Sequence, residues 1–292
     1  MTTKCTACPR NCLCDRSTHR GFCGADNKIR IARVGLHEWE EPCISYGKGS
    51  GTVFFSGCSL KCVFCQNHEI SSGLRGRDVT EDELCDIFLS VRDMGAANLN
   101  LVNPTHYSVS IANALGRVKD KLGIPVVYNT GGYDKVETLR SLEGLVDIYL
   151  PDIKYYSSEY SAKYSGASDY FDVAWKALEE MFRQVGYPEF DGEGHMIKGV
   201  LPRHLVLPKL YKDSMTILDR LSEKYDVSRL YISIMCQYFP THRAKEFPEL
   251  SRRVTTLEYS KVTDYAQRLG ITHGYTQERS SAIEEYVPNF DF

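Results

Sequence analysis

Short apolar runs alternate with amphipathic stretches from Gly51 onward. Thr52–Ser56, Asn98–Asn103, Pro125–Asn129, Ile148–Lys154, Lys198–Leu207 and Leu230–Met235 are each brief, rich in β-branched or aromatic residues and mostly apolar. That is the pattern of strands buried on both faces. Between them, helical spacing predicts helices from Thr80 to about Met94, Ser108–Leu122, Lys135–Leu142, Ala174–Val185, Ser214–Tyr225 and Val254–Leu269. Thr80-Glu-Asp-Glu has the form of a capping box, and Gly270 supplies a C-terminal stop. Strand–helix alternation implies parallel βαβ units. About six are too few for an eight-fold barrel. A partial barrel or an open α/β sheet remains, and periodicity alone does not choose between them.

Residues 1–50 lack such periodicity and are rich in Cys, Arg and Gly. They read as a small, loop-rich, metal-stapled segment ahead of a larger domain over 51–292. Of the 11 cysteines, nine lie between Cys5 and Cys65. Met1 to Arg10 has no apolar core of a secretion signal, and no run of apolar residues is long enough to span a membrane. An odd, clustered set in such a chain points to metal ligation in a reducing cytoplasm rather than to disulfides. Cys43 and Cys85 fit buried apolar positions. The net charge of -3 argues against a broad nucleic-acid-binding surface.

The strongest local signal is Gly57-Cys58-Ser59-Leu60-Lys61-Cys62-Val63-Phe64-Cys65, directly after a predicted strand. Three thiolates on one tight loop can each hold one iron of a [4Fe–4S] cube, which leaves a fourth iron open to a chelating molecule. Strand C-termini are where α/β folds place their sites. Phe64 is placed to cover such a cluster. The competing reading is part of a zinc site completed by His68. Upstream, Cys5, Cys8, Cys12 and Cys23 form a second ligand set, with Cys14 as a fifth candidate, for zinc or an auxiliary [4Fe–4S] cluster. Unligated thiols are the alternative.

The Cys-x3-Cys-x2-Cys triplet, with its aromatic before the last cysteine, resembles the cluster loop of the radical S-adenosylmethionine (SAM) superfamily. Within it the chain looks most like relatives of pyruvate formate-lyase activating enzyme. The resemblance implies a partial (β/α)6 barrel and a [4Fe–4S] cluster whose open iron is chelated by SAM. It also implies reductive cleavage of SAM to a 5′-deoxyadenosyl radical, and a flavodoxin- or ferredoxin-like electron donor. It places SAM-facing residues at strand ends: Asn103 and Thr105 in Asn-Pro-Thr-His, where the family has Gly-Gly-Glu-Pro; Asn129 with Thr130; Asp152 and Lys154; Arg203; and Gln237 after Met235 and Cys236. Asp152 and Lys154 point to one face of a strand, and Lys154 or Arg203 can meet SAM's carboxylate. A surface ion pair is the bland reading of Asp152–Lys154, and structural hydrogen bonding that of His106 and His204.

The aromatic and proline-rich stretches Gln237–Pro240 and Phe247–Leu250 read as a loop over the barrel mouth or its open side. Arg252, Arg253 and Lys261 read as a solvated face, and Glu284 to Phe292 as a packed or frayed tail. Three functions are compatible with these signals. One is a radical enzyme acting on a protein or peptide backbone, as glycyl-radical activases do. The second is a radical enzyme acting on a small molecule or RNA. The third is a non-catalytic iron–sulfur or zinc scaffold.

Overall fold

The computed structural model describes residues 4–72, 74–277 and 290, and its first regular element lies where the alternation predicts none. This is β1 (Ile29–His37), a nine-residue strand inside the segment read as loop-rich. It pairs antiparallel with β2 (Ser50–Phe55), with a bulge between Ile31 and Arg33. The extra residue breaks the two-residue apolar period, which hides the strand from pattern reading. There follow α1 (His68–Ser71), β3 (Arg77–Val79), α2 (Glu81–Asp93), β4 (Leu99–Val102), α3 (Ser108–Leu122), β5 (Val126–Thr130), α4 (Val136–Arg140), β6 (Ile148–Pro151), α5 (Ser158–Ser165) and α6 (Tyr170–Val185). The chain continues through β7 (Glu189–Phe190), β8 (Met196–Val200), β9 (Arg203–Leu205), α7 (Tyr211–Lys224), β10 (Tyr231–Met235), α8 (Thr256–Arg268) and β11 (His273–Thr276). β11 is short, polar and exposed, so no apolar run marks it.

Two sheets form, in the orders β3-β1-β2-β4-β5-β6-β8-β7 and β11-β10-β9. The pairs from β2 through β6 to β8 are parallel, as are β9–β10 and β10–β11. The predicted fifth strand, Lys198–Leu207, is split. Pro202 has no N–H to donate. The chain therefore leaves β6 at Leu201, whose N–H reaches the Tyr149 carbonyl at 3.0 Å, and rejoins a ladder at Arg203. A parallel bridge between Asp152 and Arg203 joins the two sheets into one curved array. The result is the mixed α/β fold of a partial parallel barrel, with a Cys-rich N-terminal segment.

Helices cover the outer face. Leu101, Tyr128 and Tyr149 pack there with Phe88, Ile111, Leu115 and Leu178, each contributing roughly 1.5–3 kcal/mol through burial. Capping boxes start α2 at Thr80 and α8 at Thr255. We expect Thr80→Ala to cost about 1 kcal/mol, since it removes the side-chain acceptor for the Glu83 N–H at an exposed helix end. A urea titration of both proteins at pH 7 checks this.

The inner face follows from register. Asn100 stands opposite Val127, and Val102 opposite Asn129. Val127 stands opposite Ile148, and Asn129 opposite Leu150. Because side chains alternate, these residues share one face with Asp152. Cys43, Ile44, Val127, Ile148, Leu150, Met196 and Leu201 form a separate apolar layer there. It is sealed by the connection 38–49, where the Met196 N–H donates to the Cys43 carbonyl at 2.9 Å and Asn98 Nδ2 to the Ile44 carbonyl at 2.7 Å. The N-terminal segment thus closes the base of the barrel as well as lengthening the sheet. Of the tail Glu284 to Phe292, all but Phe290 lies outside the described residues; Phe290 meets Phe54 edge-on at 5.5 Å. Among the described residues no helix is long and apolar enough to cross a membrane.

Candidate active site

The loop carrying Cys58, Cys62 and Cys65 leaves β2 at the C-terminal end of the parallel strands. Gly57 makes the exit at φ +90°, and a Cβ there would sit 2.8 Å from the Cys23 carbonyl and 3.1 Å from His106 Nε2; only glycine is compatible with both. The loop is pinned from three sides. The Lys61 and Val63 N–H groups donate to the carbonyls of Ser165 and Tyr164, at 3.1 and 2.8 Å. The Arg243 N–H donates to the Val63 carbonyl at 2.8 Å. The Cys58 N–H donates to the Cys23 carbonyl at 3.1 Å. The aromatic C-terminal loop therefore holds the cysteine loop in place. Phe64 turns inward against Tyr155 and Tyr238.

All three thiols are half-buried and free. The Ser165 hydroxyl donates to Cys62 Sγ at 3.0 Å, and Cys65 Sγ shares a hydrogen bond with Ser71 Oγ at 3.3 Å. Loss of water, then the crowding of the other thiols, pushes Cys58 up to about 12 and Cys65 up to about 11. Three adjacent thiolates are thus unstable here without a bound cation, and iron supplies one. On that chemistry the donor set fits a [4Fe–4S] cluster. His68 instead stacks on His242 at 4.9 Å, which gives no support to a zinc site with His68. Among the described residues no three cysteine, histidine or carboxylate side chains close to single-ion spacing.

Beside the loop lies a buried ionic cluster. Lys154 Nζ donates to Asp152 Oδ2 at 2.5 Å, and Arg203 reaches Asp152 Oδ1 at 3.0–3.1 Å. Arg203 also donates to Asn129 Oδ1 at 2.6 Å. These side chains are 13–18% exposed, so the surface-pair reading of Asp152–Lys154 does not hold. Burial alone would raise the Asp152 carboxyl; Lys154, then Arg203, overcome it and hold it below the ordinary range. Lys154 Cε comes within 3.6 Å of the Cβ position of Gly131, which also touches Leu60 of the cysteine loop. The predicted residues Asn129, Asp152, Lys154 and Arg203 are brought together at the mouth.

The other predicted residues are placed differently. Asn103 adopts φ +59° and spends its amide on the Gly57 and Phe55 carbonyls, so it braces the cysteine loop. Thr105 follows that turn onto the helix-facing side, where it meets Thr130 Oγ1 at 3.2 Å in a network with Asp134 and Tyr128; its side chain does not join the cluster. Gln237 accepts from Gln66 Nε2 through its carbonyl at 3.1 Å and from Gln277 through its side chain at 3.0 Å. His106 and His204 are buried, bonded to the Ser56 and Ile153 carbonyls. Burial holds both down to about 4, so both are neutral near pH 7.

Glu40 is the residue that pattern reading misses. From the connection 38–49 its carboxylate reaches the inner face, accepting from Asn100 Nδ2 at 3.1 Å and Asn129 Nδ2 at 3.4 Å, and meeting Arg203 Nη1 at 3.4 Å. Asn100 Oδ1 and Glu41 Oε2, both buried nearby, have no hydrogen-bond partner among the described residues. Burial raises the Glu40 carboxyl to about 7, with Arg203 opposing and Glu41 reinforcing. An unfolded glutamate loses its proton near pH 4.3, so between roughly pH 4.3 and 7 the folded chain binds the extra proton and stability falls as pH rises. Glu40→Gln removes this slope. It should match wild type at pH 5 and exceed it at pH 8 by on the order of 2 kcal/mol, as read by denaturant midpoints. An equal gap at both pH values contradicts the assignment.

The N-terminal cysteines gather on the same rim. Cys12 and Cys14 Sγ lie 3.5 Å apart, and a Cβ on Gly21 would meet Cys14, Cys12 and Cys23 Sγ at 3.4–3.5 Å. Burial raises Cys8 to about 11. At Cys12 burial is outweighed by the backbone N–H groups of Cys14 and Phe22, which bring it to about 7. The segment is tied to the rim by Arg10, which donates to the Ser59 and Gly166 carbonyls at 2.7 and 2.6 Å, and by Thr138, which donates to the Ala7 carbonyl at 2.9 Å.

The family model for the radical SAM superfamily matches residues 52–200. An uncharacterised protein of Methanocaldococcus jannaschii, MJ0674, is 32% identical over 281 residues, covering 91% of this chain and 75% of that protein. Among solved structures, Streptococcus suis SuiB bound to its precursor peptide SuiA superposes with a TM-score of 0.52 at 16% identity, over 76% of this chain and 46% of SuiB. The chain therefore spans about half of SuiB's length. Methylornithine synthase (PylB) gives 0.51 at 16% identity, over 77% and 70%. A spore photoproduct lyase variant with bound AdoMet and a dinucleoside spore photoproduct gives 0.52 at 12% identity, over 85% and 79%. At these identities the likeness is one of fold.

Proposed function

The chain belongs to the radical SAM superfamily, and from that premise we propose that it cleaves SAM reductively at a [4Fe–4S] cluster held by Cys58, Cys62 and Cys65, to abstract a hydrogen atom from a substrate inside the barrel. The carrying observation is the pinned three-thiol loop set against the buried Asp152–Lys154–Arg203 cluster. When bound, the iron–sulfur group and SAM supply the electron transfer and the 5′-deoxyadenosyl radical. The protein's own part is to hold, orient and seal. Lys154 and Arg203 offer cationic donors to SAM's carboxylate, Asp152 and Asn129 fix their directions, and Phe64 with Tyr155 and Tyr238 keeps water from the loop.

The substrate follows from the inner face. A peptide needs an open groove; a small molecule needs polar anchors in an enclosed site. Glu40, Asn100 and Asn129 are such anchors, above a base sealed by residues 38–49. These observations favour a small polar substrate bearing N–H or cationic groups over the backbone of a protein, as a glycyl-radical activase would take. The test is stimulation of 5′-deoxyadenosine formation by cell extract split by ultrafiltration. Stimulation by the protease-resistant filtrate supports the small substrate. Stimulation confined to a protease-sensitive retentate returns the reading to the activase type.

A further inference from the structure

Resting on the proposed function, we propose that Tyr155 and Ser165 form a buried donor chain onto Cys62 Sγ that raises the reduction potential of the centre held by the cysteine loop. Both act through Cys62, as positioning residues.

The direction of the chain follows from its hydrogen bonds. The Ser165 hydroxyl donates to Cys62 Sγ at 3.0 Å, and the Tyr155 hydroxyl lies 2.8 Å from Ser165 Oγ. A serine hydroxyl has one proton to give. With that proton on the sulfur, Tyr155 must supply the second bond, so the chain runs from phenol to hydroxyl to sulfur. A thiolate bound to iron has no proton of its own, which fixes the same direction.

Water cannot stand in for either donor, since Ser165 and Tyr155 are both 0% exposed. The other two sulfurs are served less closely. Cys58 Sγ takes the Leu60 N–H at 3.4 Å, and Cys65 Sγ meets Ser71 Oγ at 3.3 Å. Donors joined in series polarise one another, and a dry setting strengthens each of them.

The chain is also held rigidly. Phe64 and Tyr170 meet the Tyr155 ring edge-on at 6.5 and 5.6 Å. The Tyr170 hydroxyl in turn lies 2.8 and 2.7 Å from the Gly131 and Asp152 carbonyls and accepts the Lys154 N–H at 3.0 Å. Ser165 ends α5, and its carbonyl takes the Lys61 N–H at 3.1 Å. The backbone therefore seats the cysteine loop without help from the Ser165 hydroxyl. What the hydroxyl adds is electrical. One electron added to the centre places negative charge on its sulfurs, and a donor on a ligand sulfur stabilises that reduced form. No bond is made or broken, and no proton leaves the chain.

The experiment is a redox titration of the anaerobically reconstituted protein without SAM. It follows the electron paramagnetic resonance signal that Cys62→Ala abolishes, with iron counted in every sample. Ser165→Ala should keep the wild-type iron content and lower the midpoint by about 59 mV, a roughly tenfold loss in the reduction equilibrium. Tyr155→Phe should lower it in the same sense by less. Ser165→Thr, which keeps the hydroxyl, should stay at the wild-type value. Tyr164→Phe is the control: it removes a neighbouring hydroxyl that serves Glu249 instead and should leave the midpoint in place. An unmoved or raised midpoint in Ser165→Ala overturns the proposal, as does an equal fall in Ser165→Thr or Tyr164→Phe. Should Ser165→Ala fail to fold or to hold iron, Tyr155→Phe decides alone, and an unmoved midpoint there overturns the proposal. A wild type with no reducible centre on the cysteine loop would sink the proposed function. A reducible centre whose midpoint ignores both hydroxyls would sink this inference only.

Discussion

Replacing any one of Cys58, Cys62 and Cys65 by alanine should abolish SAM cleavage and remove about four irons, while the fold survives. Each thiol supplies one ligand, and two remaining thiolates leave two irons of the cube without a protein ligand. The loop backbone is independently fixed by Ser165, Tyr164, Arg243 and Cys23, so circular dichroism and thermal midpoint should change little. Iron analysis and 5′-deoxyadenosine chromatography check this together. Full iron content in all three variants would show that the cluster is held elsewhere.

Asp152→Asn should destabilise the protein by about 3–5 kcal/mol and weaken SAM binding. The carboxylate is the shared partner of Lys154 and Arg203. Without it two buried cations face one another, with Glu40 and Glu41 left to offset Arg203. Because the folded carboxyl lies below its ordinary range, its contribution is complete above the unfolded value near pH 3.9 and is lost only as pH falls through the lower folded value. The gap between wild type and variant should therefore stay flat from pH 5 to pH 8 in urea titrations. A gap under about 1 kcal/mol is that of an exposed pair and would contradict the buried cluster.

What the sequence revealed was local. The cysteine loop is contiguous, the capping boxes are four-residue signals, Asn129 ends an apolar run, and Asp152 and Arg203 are charges that interrupt theirs. Their convergence followed from strand order, which βαβ alternation constrains. The missing parts depended on non-local geometry. Glu40 lies in Glu-Trp-Glu-Glu, which reads as solvated charge; its burial comes from the fold of 38–49 beneath the strands, for which only the apolar Cys43 and Ile44 give a hint. The Thr105 side chain turns to the outer face because Asn103 enters the left-handed region and the next turn redirects the chain. The N-terminal cysteines were visible as a cluster, but their seat against Cys58 depends on backbone hydrogen bonds that no side-chain pattern records.

The most direct test of the account is to reduce the anaerobically reconstituted protein with dithionite in the presence of SAM and quantify 5′-deoxyadenosine and methionine. Equal amounts of both, growing with time in wild type, are the predicted result. If the reduced cluster is present by electron paramagnetic resonance, its signal is unmoved by SAM and neither product forms, the radical SAM reading of this site is wrong.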